Sequence, residues 1–326
     1  MKTLLAGIDI GGTKCAVSLG LQRPDGSGVL LAGKERFPTP DTPEAAITNL
    51  IAALDRLLDK EGDTAPAAIG ISCGGPLDSK TGIIWSPPNL PGWDGIDIVS
   101  PFRERYGVSV ALQNDANACA LAEWKWGAGA GCANMVFLTF GTGLGAGLIL
   151  GGRLYAGASD MAGEVGHVRL SKDGPIGFGK PGSFEGYCSG GGIARLAQSV
   201  ALRMLQAGKG PDFCPSYDKL PLLSAKIVGE AAQAGDPVAL DIYRQVGTRM
   251  GQGLAILIDI LNPERIVIGS IYARQRELLE PHIHEVLKRE ALEASLKVCS
   301  IVPAGLGEKI GDFAGMSVAL YALNRE

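Results

Sequence analysis

Gly163 to Gly190 reads GEVGHVRLSKDGPIGFGKPGSFEGYCSG and sets Glu164, His167, Glu185 and Cys188 among glycines, in a chain with only 3 histidines. Those side chains could ligate a metal, hydrogen-bond the hydroxyls of a sugar, or ride on a loop whose glycines serve only the backbone. A second such place is QNDANACALAEW at 113–124, where Asn114 and Asp115 stand together. A carboxylate there could accept a proton from an attacking hydroxyl, or merely cap the helix that follows. Glycine turns supply the third feature, in GIDIGGTK at 7–14 and GTGLGAGLI at 141–149. Backbone N–H groups at a tight glycine turn form a concavity for anions, and two such turns could grip neighbouring phosphates of a polyphosphate. Asp9, at the end of the strand before the first turn, is placed to hold Mg²⁺ through water. Two ordinary hairpins are the plain alternative; the pairing of the turns with that carboxylate favours the phosphate reading. Neither GxxxxGK[ST] nor GxGxxG occurs in the sequence, so P-loop and dinucleotide readings have no motif to rest on.

The elements that must position these residues follow an α/β pattern. TLLAGIDI and CAVSLG read as strands on either side of Gly11-Gly12, with a third strand around VLLAGKERF. Thr42 is the expected N-cap and Pro43 the first residue of a helix that spaces Ile47, Leu50, Ile51, Leu54, Leu57 and Leu58 along one face. A strand (AAIGISC), a polar loop (WSPPNLPGW), a short helix near 98–106 and the strand VSVAL lead to the helix at Asp115. VFLTFGTGLGAGLILGG then repeats the strand, glycine turn, strand device, with Thr139 where Asp9 stood. Helices are predicted over 192–208, 236–260, 276–291 and 312–324, with strands at ERIVIGS and LKVCSIVP. Two domains are expected: a small one over 1–118, joined by the C-terminal helix 312–326, and a larger one over 119–311.

Composition narrows the function. The chain has 326 residues, 46% hydrophobic and 20% charged, with a formal net charge of −4 from 30 basic and 34 acidic residues. That balance leaves no positive excess for a nucleic-acid backbone. The 7 cysteines include no CxxC pair and suit a reducing compartment, and no apolar run is long enough for a membrane span or a leader. A cytoplasmic protein that binds neither nucleic acid nor membrane is expected.

Taken together, GIDIGGTK (7–14), GGP (74–76), PNLPGW (88–93), NDANACALAE (114–123), GTGLGAGLI (141–149) and GEVGH (163–167) resemble the ROK family, sugar kinases grouped with repressors and open reading frames. The resemblance implies an actin-like, ribonuclease-H-like pair of α/β domains that bind ATP. It implies Gly11, Gly12, Thr13, Lys14, Thr142 and Gly143 at the phosphates and Gly269 near the adenosine. Asp115 is implied as the base, with Asn89, Asn114, Glu164, His167 and Glu185 as sugar contacts; a homodimer is implied as well. In many members the His of GExGH joins three cysteines of CxCGxxGC in a zinc site. Counted back from Glu185, those positions hold Ile176, Phe178 and Ser183, and Cys188 lies on the wrong side of Glu185 to stand in. Four protein ligands are needed and His167 alone remains, so no zinc site is expected, with apolar packing in place of the metal. His282 and His284, on a charged helix, are expected to be solvated.

The resulting expectation is an ATP- and Mg²⁺-dependent hexose kinase acting on the 6-OH of glucose. Phe178 and Phe184 would narrow the pocket beside carbon 2, leaving N-acetylated sugars poorer substrates. N-acetylmannosamine, N-acetylglucosamine, fructose or allose are the alternative substrates. A sugar-responsive regulator is the rival of another class, disfavoured because the first strand begins by residue 3, which leaves no helix-turn-helix before it, and because the charge is negative. An actin-like ATPase without a sugar site would not account for the 114–123 and 163–167 segments.

Overall fold

A computed structural model describes residues 3–62 and 65–324; residues 325 and 326, the tail of the expected 312–326 segment, lie outside the described residues. The chain divides into two compact units, Met1–Phe137 with Gly147–Ala162 and Gly305–Glu326, and Leu138–Ala146 with Gly163–Ala304.

The first unit opens with β1 (Thr3–Ile10), β2 (Lys14–Gln22), β3 (Val29–Pro38), α1 (Pro43–Glu61) and β4 (Ala68–Cys73). There follow β5 (Leu77–Asp78), β6 (Ile83–Trp85), β7 (Asp94–Asp97), α2 (Ser100–Tyr106), β8 (Ser109–Asn114) and α3 (Asp115–Trp126). One sheet runs β3-β2-β1-β4-β8, antiparallel through β3, β2 and β1 and parallel from β1 to β4 to β8. Buried on both faces, β1 reads as an almost continuous apolar run, as a central strand must. Leu50, Leu54 and Leu57 of α1 cover one face of the sheet together with Ile8, Val17 and Ile71. α1 starts as its sequence dictates: the Thr42 hydroxyl accepts from the Ala45 N–H at 3.3 Å, and Gly62 ends the helix in the left-handed region. The other face meets the last helix of the chain, which packs backbone to backbone: a Cβ on Gly7 would lie 2.6 Å from the Met316 nitrogen. The small sheet β5-β6-β7 has no counterpart in the sequence reading.

β9 (Met135–Phe140), β10 (Leu144–Leu150) and β11 (Arg153–Leu154) come next, and the chain passes from one unit to the other within β9 and β10. The second unit adds β12 (Ile176–Gly177), β13 (Lys180–Pro181), α4 (Phe184–Tyr187), α5 (Gly190–Gln206), α6 (Ala225–Gln233), α7 (Pro237–Leu261) and β14 (Arg265–Ile268). It ends with α8 (Ile271–Arg274), α9 (Arg276–Glu290), α10 (Glu293–Val298) and β15 (Ser300–Pro303); α11 (Ile310–Leu323) closes the first unit. The second sheet is ordered β11-β10-β9-β14-β15. α7 begins where Asp236-Pro237 predicted: the Asp236 carboxylate accepts from the Val238 and Ala239 N–H groups at 2.9 and 2.8 Å. α6, α8 and α10 are four to nine residues long, too few for a periodic pattern, and α10 takes residues 296–298 from the strand expected at LKVCSIVP, which begins only at Ser300. Among the described residues no helix is long and apolar enough to cross a membrane.

Candidate active site

The residues singled out from sequence fall into two sets, one per unit. In the first unit, β1, β4 and β8 run in parallel and end side by side, with Asp9 across from Ser72 and Cys73 across from Asn114. The carboxyl ends of parallel strands are where α/β sheets place ligands. Asn114 caps α3, its Oδ1 accepting from the Ala116 and Asn117 N–H groups at 2.8 and 3.4 Å. The Asp115 Oδ1 only shares the Ala116 N–H, at 2.7 Å, and the residue stays open to solvent. The choice between cap and base is thereby divided between two neighbours: the amide closes the helix and leaves the carboxylate available.

Although the residue has an exposed edge, the protein crowded around its carboxyl displaces part of the hydration and holds Asp115 above the usual carboxylate range, against the pull of the Ala116 N–H. Asp9 is half-buried, and that burial, followed by the negative charge of Asp115, pushes it up to about 6 while Lys14, Lys34 and Arg36 pull down. A carboxylate raised by burial and by the negative charge of a neighbouring carboxylate makes a setting that a divalent cation relieves, so Asp9 fits a site that holds Mg²⁺ through water.

The first glycine turn is strapped from outside its own hairpin. The Gly11 N–H donates to the Lys14 carbonyl at 3.1 Å; the Thr39 hydroxyl donates to the Gly11 carbonyl at 2.5 Å, and the Thr39 N–H to the Thr13 carbonyl at 3.1 Å. Thr39 lies 28 residues from Gly11, and no short-range pattern marks it. Gly12 touches the loop that carries Asn89: a Cβ there would sit 2.4 Å from the Asn89 carbonyl oxygen. In that loop Leu90 and Trp93 are buried, and the Ser86 N–H bonds to the Trp93 carbonyl at 2.7 Å, which leaves Asn89 exposed at the tip. Glu123 was also missed. It is fully buried and accepts from the Ala128, Gly305 and Leu306 N–H groups at 2.7, 2.9 and 2.8 Å, which fixes the helix that Asp115 begins.

In the second unit the turn Gly141–Gly143 closes with the Gly141 N–H on the Gly143 carbonyl at 3.1 Å. Glu185 is tied to it, since its Oε2 accepts from the Leu144 N–H at 3.2 Å. The Ala146 N–H bonds to the Gly163 carbonyl at 2.8 Å, which fastens the GEVGH segment to β10. Glu164 and His167 are exposed, and the His167 ring meets Phe178 edge-on at 5.1 Å. Gly269 is buried at the end of β14 with its N–H on the Leu138 carbonyl at 2.9 Å. A cavity of about 770 Å³ opens beside it, lined by Gly141, Thr142, Gly190, Ser270 and residues of α6 and α7.

Apolar packing does not take the place of zinc as expected. Ile176 is 51% and Phe178 71% exposed, so neither packs in a core, and Phe178 adopts a left-handed φ of 43°. Only Ser183 is buried, and it acts by hydrogen bonding, its hydroxyl accepting from the Gly186 N–H at 3.1 Å to cap α4. Polar links hold the segment: Lys180 Nζ donates to the His167 carbonyl at 2.7 Å and Arg169 to the Pro181 carbonyl at 3.2 Å. Among the described residues no group of three or more His, Cys, Asp and Glu side chains is gathered in a way that could hold a metal ion. Phe184 faces α7, against Gly253, so it does not narrow a pocket as expected. His284 is exposed, whereas His282 is half-buried against Gly247.

Sheet order, paired glycine turns and adjoining carboxylates define a two-domain α/β protein of the actin-like, ribonuclease-H-like class. The chain belongs to the ROK family, whose model matches residues 5–321. It is 32% identical to a glucokinase of Streptomyces coelicolor over 94% of this chain and 95% of that one. A ROK hexokinase from Thermus thermophilus superposes with a TM-score of 0.80 at 30% identity, covering 100% of both chains. A ROK glucokinase from Streptomyces griseus, solved with glucose and AMPPNP, does so with 0.72 at 31% identity, covering 97% of this chain and 99% of that one.

Proposed function

We propose that this protein is an ATP-dependent hexose kinase that transfers the γ-phosphate to the 6-OH of glucose. The observation that carries the reading is Asp115, a carboxylate left out of the helix cap beside it, raised in proton affinity and open to solvent. A hydroxyl becomes a competent nucleophile when a positioned carboxylate takes its proton as the new O–P bond forms, and a carboxyl above its ordinary range is better matched to that transfer. Asn89, Asn114, Glu164, His167 and Glu185 supply donors and acceptors for the remaining hydroxyls of the ring. Asn114 offers its amide N–H₂, because its oxygen is spent on the cap. The turns at Gly11–Lys14 and Thr142–Gly143 present backbone N–H groups to phosphate oxygens, and Gly269 borders the adenosine. Mg²⁺, held by Asp9 through water, supplies charge neutralisation at the phosphates when bound. Relatives of similar length named glucokinase or hexokinase support this reading.

The experiment is an ADP-release screen with Mg-ATP across glucose, mannose, fructose, allose, N-acetylglucosamine and N-acetylmannosamine. Glucose is expected to give the highest kcat/KM, with N-acetylated sugars lower by about one to two orders of magnitude, the cost of misfitting a small group in a pocket. An N-acetylated sugar in first place would overturn glucose and keep the kinase; no turnover with any sugar would overturn the kinase.

A further inference from the structure

The cavity of the second unit holds an amide pair that the sequence reading did not reach. Gln233, the last residue of α6, and Gln275, between α8 and α9, both line it, and the Gln233 Nε2 donates to the Gln275 Oε1 at 2.9 Å. Gln275 is wedged in place: a Cβ on Gly229 would lie 2.3 Å from its Nε2 and 2.9 Å from the Tyr243 hydroxyl. That hydroxyl donates in turn to the Ala225 carbonyl at 3.1 Å at the start of α6. Gly229 and Tyr243 thus seat Gln275, and the exposed Gln233 carboxamide takes its orientation from the one bond it makes to Gln275. Among the described residues the Gln233 oxygen and its second N–H bond to nothing else, so the side chain offers the cavity one acceptor and one donor, side by side.

From this we infer that Gln233 reads the base of the nucleotide, with Gln275 as the positioning residue that holds its amide; the inference rests on the proposed use of a nucleoside triphosphate. Adenine matches such a carboxamide, since its exocyclic amino group donates and the adjoining ring nitrogen accepts. Hypoxanthine and guanine carry an oxygen where adenine carries that amino group, so the Gln233 oxygen, oriented by the bond to Gln275, would face another acceptor. Each mismatched pair of this kind leaves a polar group unsatisfied, and good bidentate pairing discriminates by on the order of ten- to a hundredfold. Of the charged residues on the cavity wall, Glu230, one helical turn before Gln233, pairs with Lys226 at 3.8 Å, and Arg274 donates to the Ser270 hydroxyl at 3.0 Å.

The test compares ATP with ITP, by equilibrium binding of each nucleotide and by ADP or IDP release with the hexose that the parent uses. The parent should favour ATP by about tenfold or more. Gln233→Ala should bring the ATP:ITP ratio within about threefold, with the change in KM for the nucleotide rather than in kcat. Gln275→Ala should lower the ratio part of the way, which a purely structural role would not do, and Gln233→Asn should restore little because its amide is shorter by one carbon. A Gln233→Ala protein that folds and keeps the parental ratio overturns the inference, as does a parent without preference. A parent that binds ATP over ITP through Gln233, yet phosphorylates no hexose, overturns the kinase reading and leaves the base-reading role standing.

Discussion

The two glycine turns share one device and put it to different uses. Both hairpins close with a glycine N–H on a carbonyl at 3.1 Å, and both press against a residue proposed to touch the sugar, Gly12 on Asn89 and Gly143 on Glu185. The strands before them differ. Asp9 ends β1 as a strained carboxylate among Lys14, Lys34 and Arg36, with Lys34 also paired to Asp312. Thr139 takes the corresponding place in β9, and its hydroxyl accepts from the Gly145 N–H at 2.9 Å within its own hairpin. Charge crowds the end of β1, whereas the end of β9 carries a neutral hydroxyl satisfied within its own hairpin and the turn after it meets one carboxylate, Glu185. Repeating a backbone shape is thus independent of repeating its chemistry: anion binding needs N–H groups alone, while handling a proton and a cation needs carboxylates on one side only.

The largest effect should come from removing the proposed base, Asp115, on the charged side. Asp115→Asn keeps the shape of the side chain and cannot take up the proton, so kcat should fall by at least ~10²-fold, about 2.7 kcal/mol of barrier, while sugar affinity measured by calorimetry persists. A kcat within a few-fold of the parent would return Asp115 to a merely structural role.

Next come the close approaches of the turns. In Gly12→Ala the new methyl meets backbone at 2.4 Å, and the loop bearing Asn89 must move, so KM for the hexose should rise by about tenfold or more. In Gly143→Ala the methyl meets the end of the Glu185 side chain at 3.0 Å, which can swing aside, and the rise should stay within about threefold. Steady-state kinetics in which the second variant is the worse one would invert the comparison.

A stability measurement should show the cost of the charge. Asp9 has a folded pKa of about 6 against an ordinary 3.8. The unfolded chain therefore releases this proton first as pH rises, and the group subtracts stability progressively from about pH 4 to 6 and fully above that. Asp9→Asn should consequently melt higher than the parent at pH 7.5, by up to about 3 kcal/mol in stability, with the gap closing towards pH 4 and activity lost throughout. A gap independent of pH would detach the effect from titration. Thr139→Asn offers a control in which no such pH dependence is expected.

The smallest effects concern the segment before Glu185. Phe178→Ser should change melting by less than about 0.5 kcal/mol, because the ring is exposed, whereas Ser183→Ala removes a helix cap and should cost about 1 kcal/mol. Chelator followed by Mg²⁺ should leave melting and activity where they were; one equivalent of tightly bound zinc by elemental analysis would refute that expectation.

Much of this architecture was legible in local pattern. β1, β2, α1 and α7 announce themselves through strand composition, glycine turns, Thr42-Pro43 and Asp236-Pro237, because capping and periodicity are settled within about four residues along the chain. The same locality placed Asn114-Asp115 at a strand-to-helix junction, though not which of the two would cap. Packing against distant residues decided the rest. The proton affinity of Asp9 depends on how deeply β1 is covered and on a carboxylate 106 positions away in sequence. Glu123 finds its partners 182 and 183 residues on, Thr39 straps a turn 28 residues back, and Gln233 meets Gln275 across 42. Phe178 sits outside where apolar character alone would have buried it. Sequence determined where the chain turns, caps and carries charge, since those choices are made between neighbours; only the tertiary structure decided which charges are strained, which amides are held and which apolar side chains stay in water, since those depend on what the folded chain brings alongside.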